Sequence, residues 1–219
     1  GLKGIYLDST LQTQVAVFYQ DRRDIQTDSA IVDCSPLPCS FDDYLTNAAT
    51  GNNYGLEAQL SYLATDNLEI YTSIGLLETE YGNYANYQHV DPDSSTEAGF
   101  DMKGREQSQA PSYQFVIGIN AALTKVISAN INLEGKDEFL FSNDHDVQSS
   151  PYTLANASLN YRLDNWTLTL WGKNLLDKDY QTRAFGTFEN DPRDGYSTKG
   201  PYFQQGNPKT YGLTANYAF

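Results

Sequence analysis

The chain has 219 residues, with 28 acidic and 14 basic side chains and a net charge of −14. A nucleic-acid backbone favours a basic surface, so this balance argues against nucleic acid as a partner. Mean hydropathy is −0.53, and no run approaches the roughly 18–20 apolar residues of a membrane helix; barrel strands escape that test because every second residue is polar.

The legible signal is alternation with period 2, the mark of a strand with two unlike faces. It predicts about nine strands, at 1–7, 10–27, 52–64, 67–84, 109–122, 126–141, 151–163, 165–185 and 206–219. In the second, the odd positions Leu11, Val15, Val17 and Tyr19 are apolar; in the third, Leu56, Ala58, Leu60 and Tyr62 are. Leu68, Ile70, Ile74 and Leu76 continue the pattern, followed by Tyr113, Phe115, Ile117 and Ile119. Ile127, Ile131 and Leu133 oppose Ser128, Asn130, Asn132 and Glu134. Leu159 and Tyr161 oppose Asn160 and Arg162, and Trp166, Leu168 and Leu170 oppose Thr167, Thr169 and Lys173. At the end, Tyr211, Leu213, Ala215, Tyr217 and Phe219 share one aromatic-rich apolar parity, and the chain stops on a phenylalanine.

The connections alternate in length. Tight turns are expected at Asp8-Ser-Thr10, Thr65-Asp-Asn67, Leu123–Lys125 and Leu163-Asp-Asn165. Long polar segments lie between them, at about 28–51, 85–108, 142–150 and 186–205. Short turns at one end and long loops at the other are the asymmetry of an outer-membrane barrel. Nine strands cannot close an all-antiparallel barrel, because the first and last run parallel. The fold expected is therefore all-β, an antiparallel transmembrane β-barrel of which residues 1–219 are a C-terminal portion. The start at Gly1-Leu-Lys3 fits an export signal already removed, or a fragment.

Cys34 and Cys39 bracket Ser-Pro-Leu-Pro, a short turn-rich span. A disulfide is the reading preferred to free thiols, and it implies an oxidising compartment. His145 sits in Asp144-His-Asp146 and His89 lies near Asp91-Pro-Asp93; solvated loops are the expectation there, with a divalent-cation ligand set the alternative. No nucleophile–base arrangement, phosphate loop or paired-carboxylate context stands out, so neither catalysis nor a cofactor is expected.

Several stretches together resemble the TonB-dependent outer-membrane receptors. They are Asn53-Tyr-Gly-Leu-Glu-Ala-Gln-Leu-Ser61, Gly75-Leu-Leu-Glu-Thr-Glu-Tyr81, Gly104-Arg-Glu106 with Gln109-Ala-Pro-Ser112, and Leu170-Trp-Gly-Lys-Asn-Leu-Leu-Asp-Lys-Asp-Tyr180. The ending from Gly206-Asn-Pro-Lys209 to Phe219 completes the set. Asn174 to Tyr180, followed by Gly206 to Lys209, is the most specific part. The resemblance implies a 22-stranded barrel filled by an N-terminal plug domain, which this sequence lacks along with the earlier strands. It implies uptake of a scarce nutrient, with energy from the TonB complex acting through the plug. A ferric siderophore or other iron complex heads the substrate classes, with oligosaccharide or cobalamin behind. A passive porin-like channel and an extracellular sugar-binding or adhesive domain are the competing readings.

In such a barrel the polar parity faces the lumen. That places Glu57, Gln59, Glu69, Asn130, Asn132, Glu134, Arg162 and Lys173 inside, as a hydrophilic path or as contacts to the plug. Loop aromatics beside charges can stack a sugar or a planar chelating group. The candidates are Tyr81, Tyr84, Tyr87, Arg183, Phe185, Phe188, Arg193, Tyr196 and Tyr202, with a self-packed loop as the alternative. Tyr211, Leu213, Tyr217 and Phe219 form the apolar edge that, by the resemblance, the barrel-assembly machinery reads, while membrane lipid covers the rest of that face.

Overall fold

The structure is a computed structural model that describes residues 1–33, 40–86, 100–143, 145–185 and 201–219. The strands are β1 (Leu2–Tyr6), β2 (Leu11–Asp33), β3 (Ser40–Thr65), β4 (Leu68–Tyr81), β5 (Ala85–Asn86) and β6 (Phe100–Asp101). They continue as β7 (Tyr113–Ala122), β8 (Ile127–Lys136), β9 (Tyr152–Leu163), β10 (Trp166–Lys173), β11 (Gln181–Phe185), β12 (Tyr202–Gln205) and β13 (Thr210–Tyr217). Nine of them form one antiparallel sheet in the order β1-β2-β3-β4-β7-β8-β9-β10-β13. It is an open section of barrel wall with β1 and β13 at its edges. The pairs β5–β6 and β11–β12 are small separate ladders.

The register carries one parity across the whole wall. Val15 pairs with Ala58 and Leu2, Leu56 with Leu76, and Ile70 with Ile119. Ile119 pairs in turn with Ile131, Leu159 with Leu170, and Leu170 with Leu213. A slip of one residue anywhere would turn a strand's apolar set to the other face. The four expected tight turns are present. Leu7, Asp8 and Ser9 all have positive φ, and Thr10 closes the turn with backbone and hydroxyl bonds to the Leu7 carbonyl.

Three expectations about boundaries need correction. Residues 28–51 were expected as a polar loop, yet β2 and β3 stay paired from Ile25↔Ala49 to Asp33↔Ser40. That arm has no consistent apolar parity, but its backbone groups satisfy one another across the hairpin. The expected strand 165–185 stops at Lys173, because Asn174 and Asp177 adopt left-handed φ values of 48° and 53°. Residues 206–209, expected as strand, are also irregular, and β13 begins at Thr210. Lesser trims end β4 at Tyr81 and β8 at Lys136, and start β7 at Tyr113.

Among the described residues the wall has no second layer packed on its apolar face. Its apolar face is exposed, with Val17 73% and Leu213 69% accessible. The buried clusters lie instead at the loop end, between strand ends and the connections there. One joins Ile25, Ala49, Tyr81, Tyr84 and Met102; the other joins Phe139, Phe141 and Ala184. This inverts the usual soluble plan, in which a sheet buries its apolar face against a partner layer.

Aromatic rings lie over glycines on neighbouring strands. The Tyr71 ring occupies the space a Cβ at Gly118 would need, and Trp171 does the same at Gly212. Phe18 over Gly55 and Phe115 over Gly135 repeat the arrangement. Each ring covers backbone that a glycine otherwise leaves bare.

Candidate functional site

The two faces of the wall differ in chemistry. On the apolar face, Tyr19, Tyr54 and Tyr113 stand toward the loop end and Trp166, Tyr217 and Phe219 toward the turn end. The Trp166 and Tyr217 rings lie 4.9 Å apart, and Tyr217 and Phe219 meet edge to face at 5.2 Å. From Tyr54 to Tyr62 on β3 the chain rises about 26 Å along the strand. At the roughly 40° tilt of outer-membrane strands that is about 20 Å of height, near the apolar band such barrels present to lipid.

The opposite face is a hydrogen-bonded polar surface. Ser61 Oγ donates to Glu69 Oε1 at 2.5 Å, and Asn120 Nδ2 donates to Glu69 Oε2 at 2.9 Å. Asn130 Nδ2 donates to Asn120 Oδ1 at 2.7 Å and to Tyr71 Oη at 2.8 Å. Asn132 Nδ2 donates to Asn130 Oδ1, and Asn156 Nδ2 donates to both Asn132 Oδ1 and Glu134 Oε1. The chain of bonds thus crosses β3, β4, β7, β8 and β9. Fixed in this way, the side chains keep their acceptors and donors pointed along the wall. Glu57, Gln59, Arg162 and Lys173 share this face by register and are exposed. A recess of about 560 Å³ is lined by Glu57, Gln59, Glu134, Lys136 and Tyr152. Lys136 Nζ sits 4.1 Å from the centre of the Phe139 ring, a cation over an aromatic face.

At the loop end of β10, Asn174 forms a clasp. Its backbone N–H donates to Asn156 Oδ1, which joins it to the polar network. Its side chain is buried, donates to the carbonyls of Lys178 and Asn207, and accepts from the Lys178 N–H. Asp177 Oδ1 accepts from the Lys209 N–H at 2.9 Å, and Gly206 N–H donates to the Tyr180 carbonyl at 2.7 Å. The two stretches that looked most specific in sequence are the two halves of this clasp.

The described loop-end residues 100–112 are interlocked with their neighbours. The Arg105 guanidinium, with its side chain 11% exposed, pairs with Asp146 and donates to the carbonyls of Ser142 and His145. Gln107 accepts from Arg22 and donates to Asn53 Oδ1 and the Glu80 carbonyl. Gln109, at φ 60°, donates to the Phe141 carbonyl. Residues 100–112 are therefore a strap tying β2–β4 to the segment after β8.

The candidate contact residues divide accordingly. Tyr81 and Tyr84 are buried against Met102 with rings 5.2 Å apart, which makes them part of the scaffold. His145, expected in a solvated loop, is buried, and its Nδ1 accepts from the Val147 N–H. Arg183 and Tyr202 are exposed on the β11–β12 ladder. Tyr87, Phe188, Arg193 and Tyr196, the side chain of Phe185, His89, Asp91 to Asp93, Asp144 and the Cys34–Cys39 pair lie outside the described residues. Residue-by-residue reading overlooked Tyr71, Asn120, Arg105 and Gln107. Polar parity marks the first two as inward-facing, whereas Gln107 has no sequence signal beyond its place near the Gly104-Arg-Glu106 motif.

Comparison with known proteins agrees with this geometry. The ferric-pyoverdine M114 receptor PbuA of Pseudomonas sp. (strain M114) is 25% identical over 207 residues, covering 89% of this chain and 22% of its own. The ferric yersiniabactin uptake receptor FyuA of Yersinia pestis superposes with a TM-score of 0.68 at 16% identity, covering 98% of this chain and 28% of FyuA. The siderophore receptor PiuA of Acinetobacter baumannii gives a TM-score of 0.66 at 17% identity, covering 97% of this chain and 26% of PiuA. The chain thus spans about a quarter of the length of these relatives. The family model for the TonB dependent receptor-like β-barrel matches residues 1–175, and the chain belongs to that family of bacterial outer-membrane receptors.

Proposed function

We propose that this chain is part of the wall and outer loop layer of a receptor that takes up a ferric siderophore or other iron complex, driven by TonB. The carrying observation is the division of the wall into an exposed apolar band and a continuous hydrogen-bonded polar face. One side suits lipid and the other a hydrophilic solute or a polar domain held inside a barrel. The similarity to a ferric-pyoverdine receptor supports iron as the cargo class. In this reading the barrel has 22 strands and a plug rests on Glu57, Gln59, Glu69, Asn130, Asn132, Glu134, Arg162 and Lys173. Through that plug the TonB complex acts. Arg183 and Tyr202 are the described candidates for first contact with the cargo, while Tyr81 and Tyr84 hold the loops that present it.

The test uses the full receptor chain in iron-starved cells lacking their other siderophore receptors. Uptake of radiolabelled ferric siderophores should follow expression of the receptor and stop when TonB is deleted or the proton gradient is collapsed. Uptake that persists without TonB would establish the passive-channel reading instead.

A further inference from the structure

Two recesses on the polar face join into one furrow. The larger, about 690 Å³, spans β1 to β4 and reaches Val116 on β7. The other, about 560 Å³, is lined from β3, β4, β7, β8 and β9. They meet at Gln59, Ser73 and Val116. The line they follow is a single register row, Lys3–Gln14–Gln59–Ser73–Val116–Glu134. From β1 to β8 that row crosses five strand spacings, about 24 Å. It is perpendicular to strands that tilt by roughly 40°, so it changes height by about 15 Å, over half the height of the lipid-facing band.

The chemistry of the furrow sets it apart from the rest of this face. Gln12, Gln14, Gln59, Ser73 and Gln114 have no hydrogen-bond partner among the described residues, whereas the asparagines of β7–β9 bind one another, Glu69 and Glu134. The floor is also low. Gly55, Gly118 and Gly212 each lie under a ring from a register partner, but Gly75 pairs with Glu57 and Gln114, and a Cβ there would meet nothing within 4 Å. Free amides and hydroxyls donate and accept alike, and none carries a charge that would hold an ion fast. A row of them offers many weak, similar contacts, the condition for a solute to enter a path and still leave it. The asparagine net, its groups already committed to each other, offers a moving solute fewer free partners.

We propose that this furrow is the transit path of the cargo. A hydrophilic chelate with amide, hydroxamate or hydroxyl groups on its surface passes along Gln114, Ser73, Gln59, Gln14 and Gln12. The domain inside the barrel parts from the wall there and stays seated on the Asn120–Asn156 side. This path rests on the uptake reading. The test uses the full receptor chain in iron-starved cells that lack other siderophore receptors. Gln59→Trp fills the point where the recesses meet. It should slow ferric-siderophore uptake at least fivefold and leave binding of the same complex at the cell surface within twofold of wild type. Ser73→Cys and Ser158→Cys, the second between Asn130 and Trp171 in register on the same face, are exposed to a hydrophilic maleimide added outside, read against the wild-type receptor's own thiols. Labelling of Ser73→Cys should rise at least threefold during uptake and lose that rise when TonB is deleted; labelling of Ser158→Cys should stay level. Equal rises at the two positions, no rise at Ser73→Cys, or wild-type uptake by Gln59→Trp overturns the furrow. Wild-type uptake in the same cells tests the reading beneath it: TonB-dependent uptake with any of those results strikes the furrow alone, and absent uptake strikes both.

Discussion

Replacing Asn174 with alanine should open the loop-end clasp while sparing the wall. The Asn174 side chain makes three hydrogen bonds, two to the carbonyls of Lys178 and Asn207 and one from the Lys178 N–H. Each is worth about 1 kcal/mol net, or about 3 kcal/mol together. The φ of 48° at Asn174 adds a backbone term, since alanine in the left-handed region costs about 1 kcal/mol. Asn174→Ala should therefore loosen the clasp by about 4 kcal/mol, nearly a thousandfold in the opening equilibrium at about 1.4 kcal/mol per decade. Asn174→Gly keeps the backbone and loses only the bonds, so it should cost about 3 kcal/mol. Hydrogen exchange on the full receptor reads this locally. Amides in 174–180 and 206–209 should exchange far faster in the alanine variant, at a rate severalfold above the glycine variant. Amides in 54–62 should not change. Protection of Lys178 within threefold of wild type in the alanine variant would refute the clasp.

Three further outcomes are expected. Leu60→Arg should cost about 2–4 kcal/mol near the membrane midplane, while Gln59→Arg on the other face costs far less; equal folding yields in lipid vesicles would contradict the assignment of faces. Gly118→Leu should displace the Tyr71 ring and its bond from Asn130, lowering stability by about 1–3 kcal/mol as overpacking does. Gly75→Ala meets open space and should be nearly neutral, so denaturant midpoints that shift alike for the two would count against the ring–glycine fit. Deleting Phe219 removes a residue whose contact is the Tyr217 ring, so membrane assembly in cells should fall more than refolding in detergent; normal insertion of the truncated receptor would sink the assembly-signal reading.

How far the sequence disclosed this structure depended on whether a residue's environment is set locally. The wall strands were legible because lipid on one side and polar surroundings on the other impose period 2, as Leu56–Tyr62 and Trp166–Leu170 display. The arm beyond Ile25 carries no sustained apolar parity, so nothing in its sequence separates paired strand from loop. The break at Asn174 was hidden inside a motif noticed for its resemblance, because a left-handed asparagine looks like any polar residue until its partners at Lys178 and Asn207 are known. Tyr81 and Tyr84 looked like a binding surface for the same reason. Aromatic residues in a loop serve contact or packing equally well, and only Met102, arriving from residues distant in sequence, decides for packing.

The rings laid over glycines bear on how the wall finds its alignment. Alternation detects a slip of one residue, but a slip of two restores every face and passes unnoticed. The ring–glycine pairs do not permit it. Such a slip would bring Tyr71 against Val116 or Asn120, Phe18 against Asn53 or Glu57, Phe115 against Leu133 or Asp137, and Trp171 against Thr210 or Thr214. Each alternative carries a side chain where the ring must lie. Four strand interfaces along the wall thus have a keyway that admits one alignment, cut by a missing methyl group and filled by the ring that needs it.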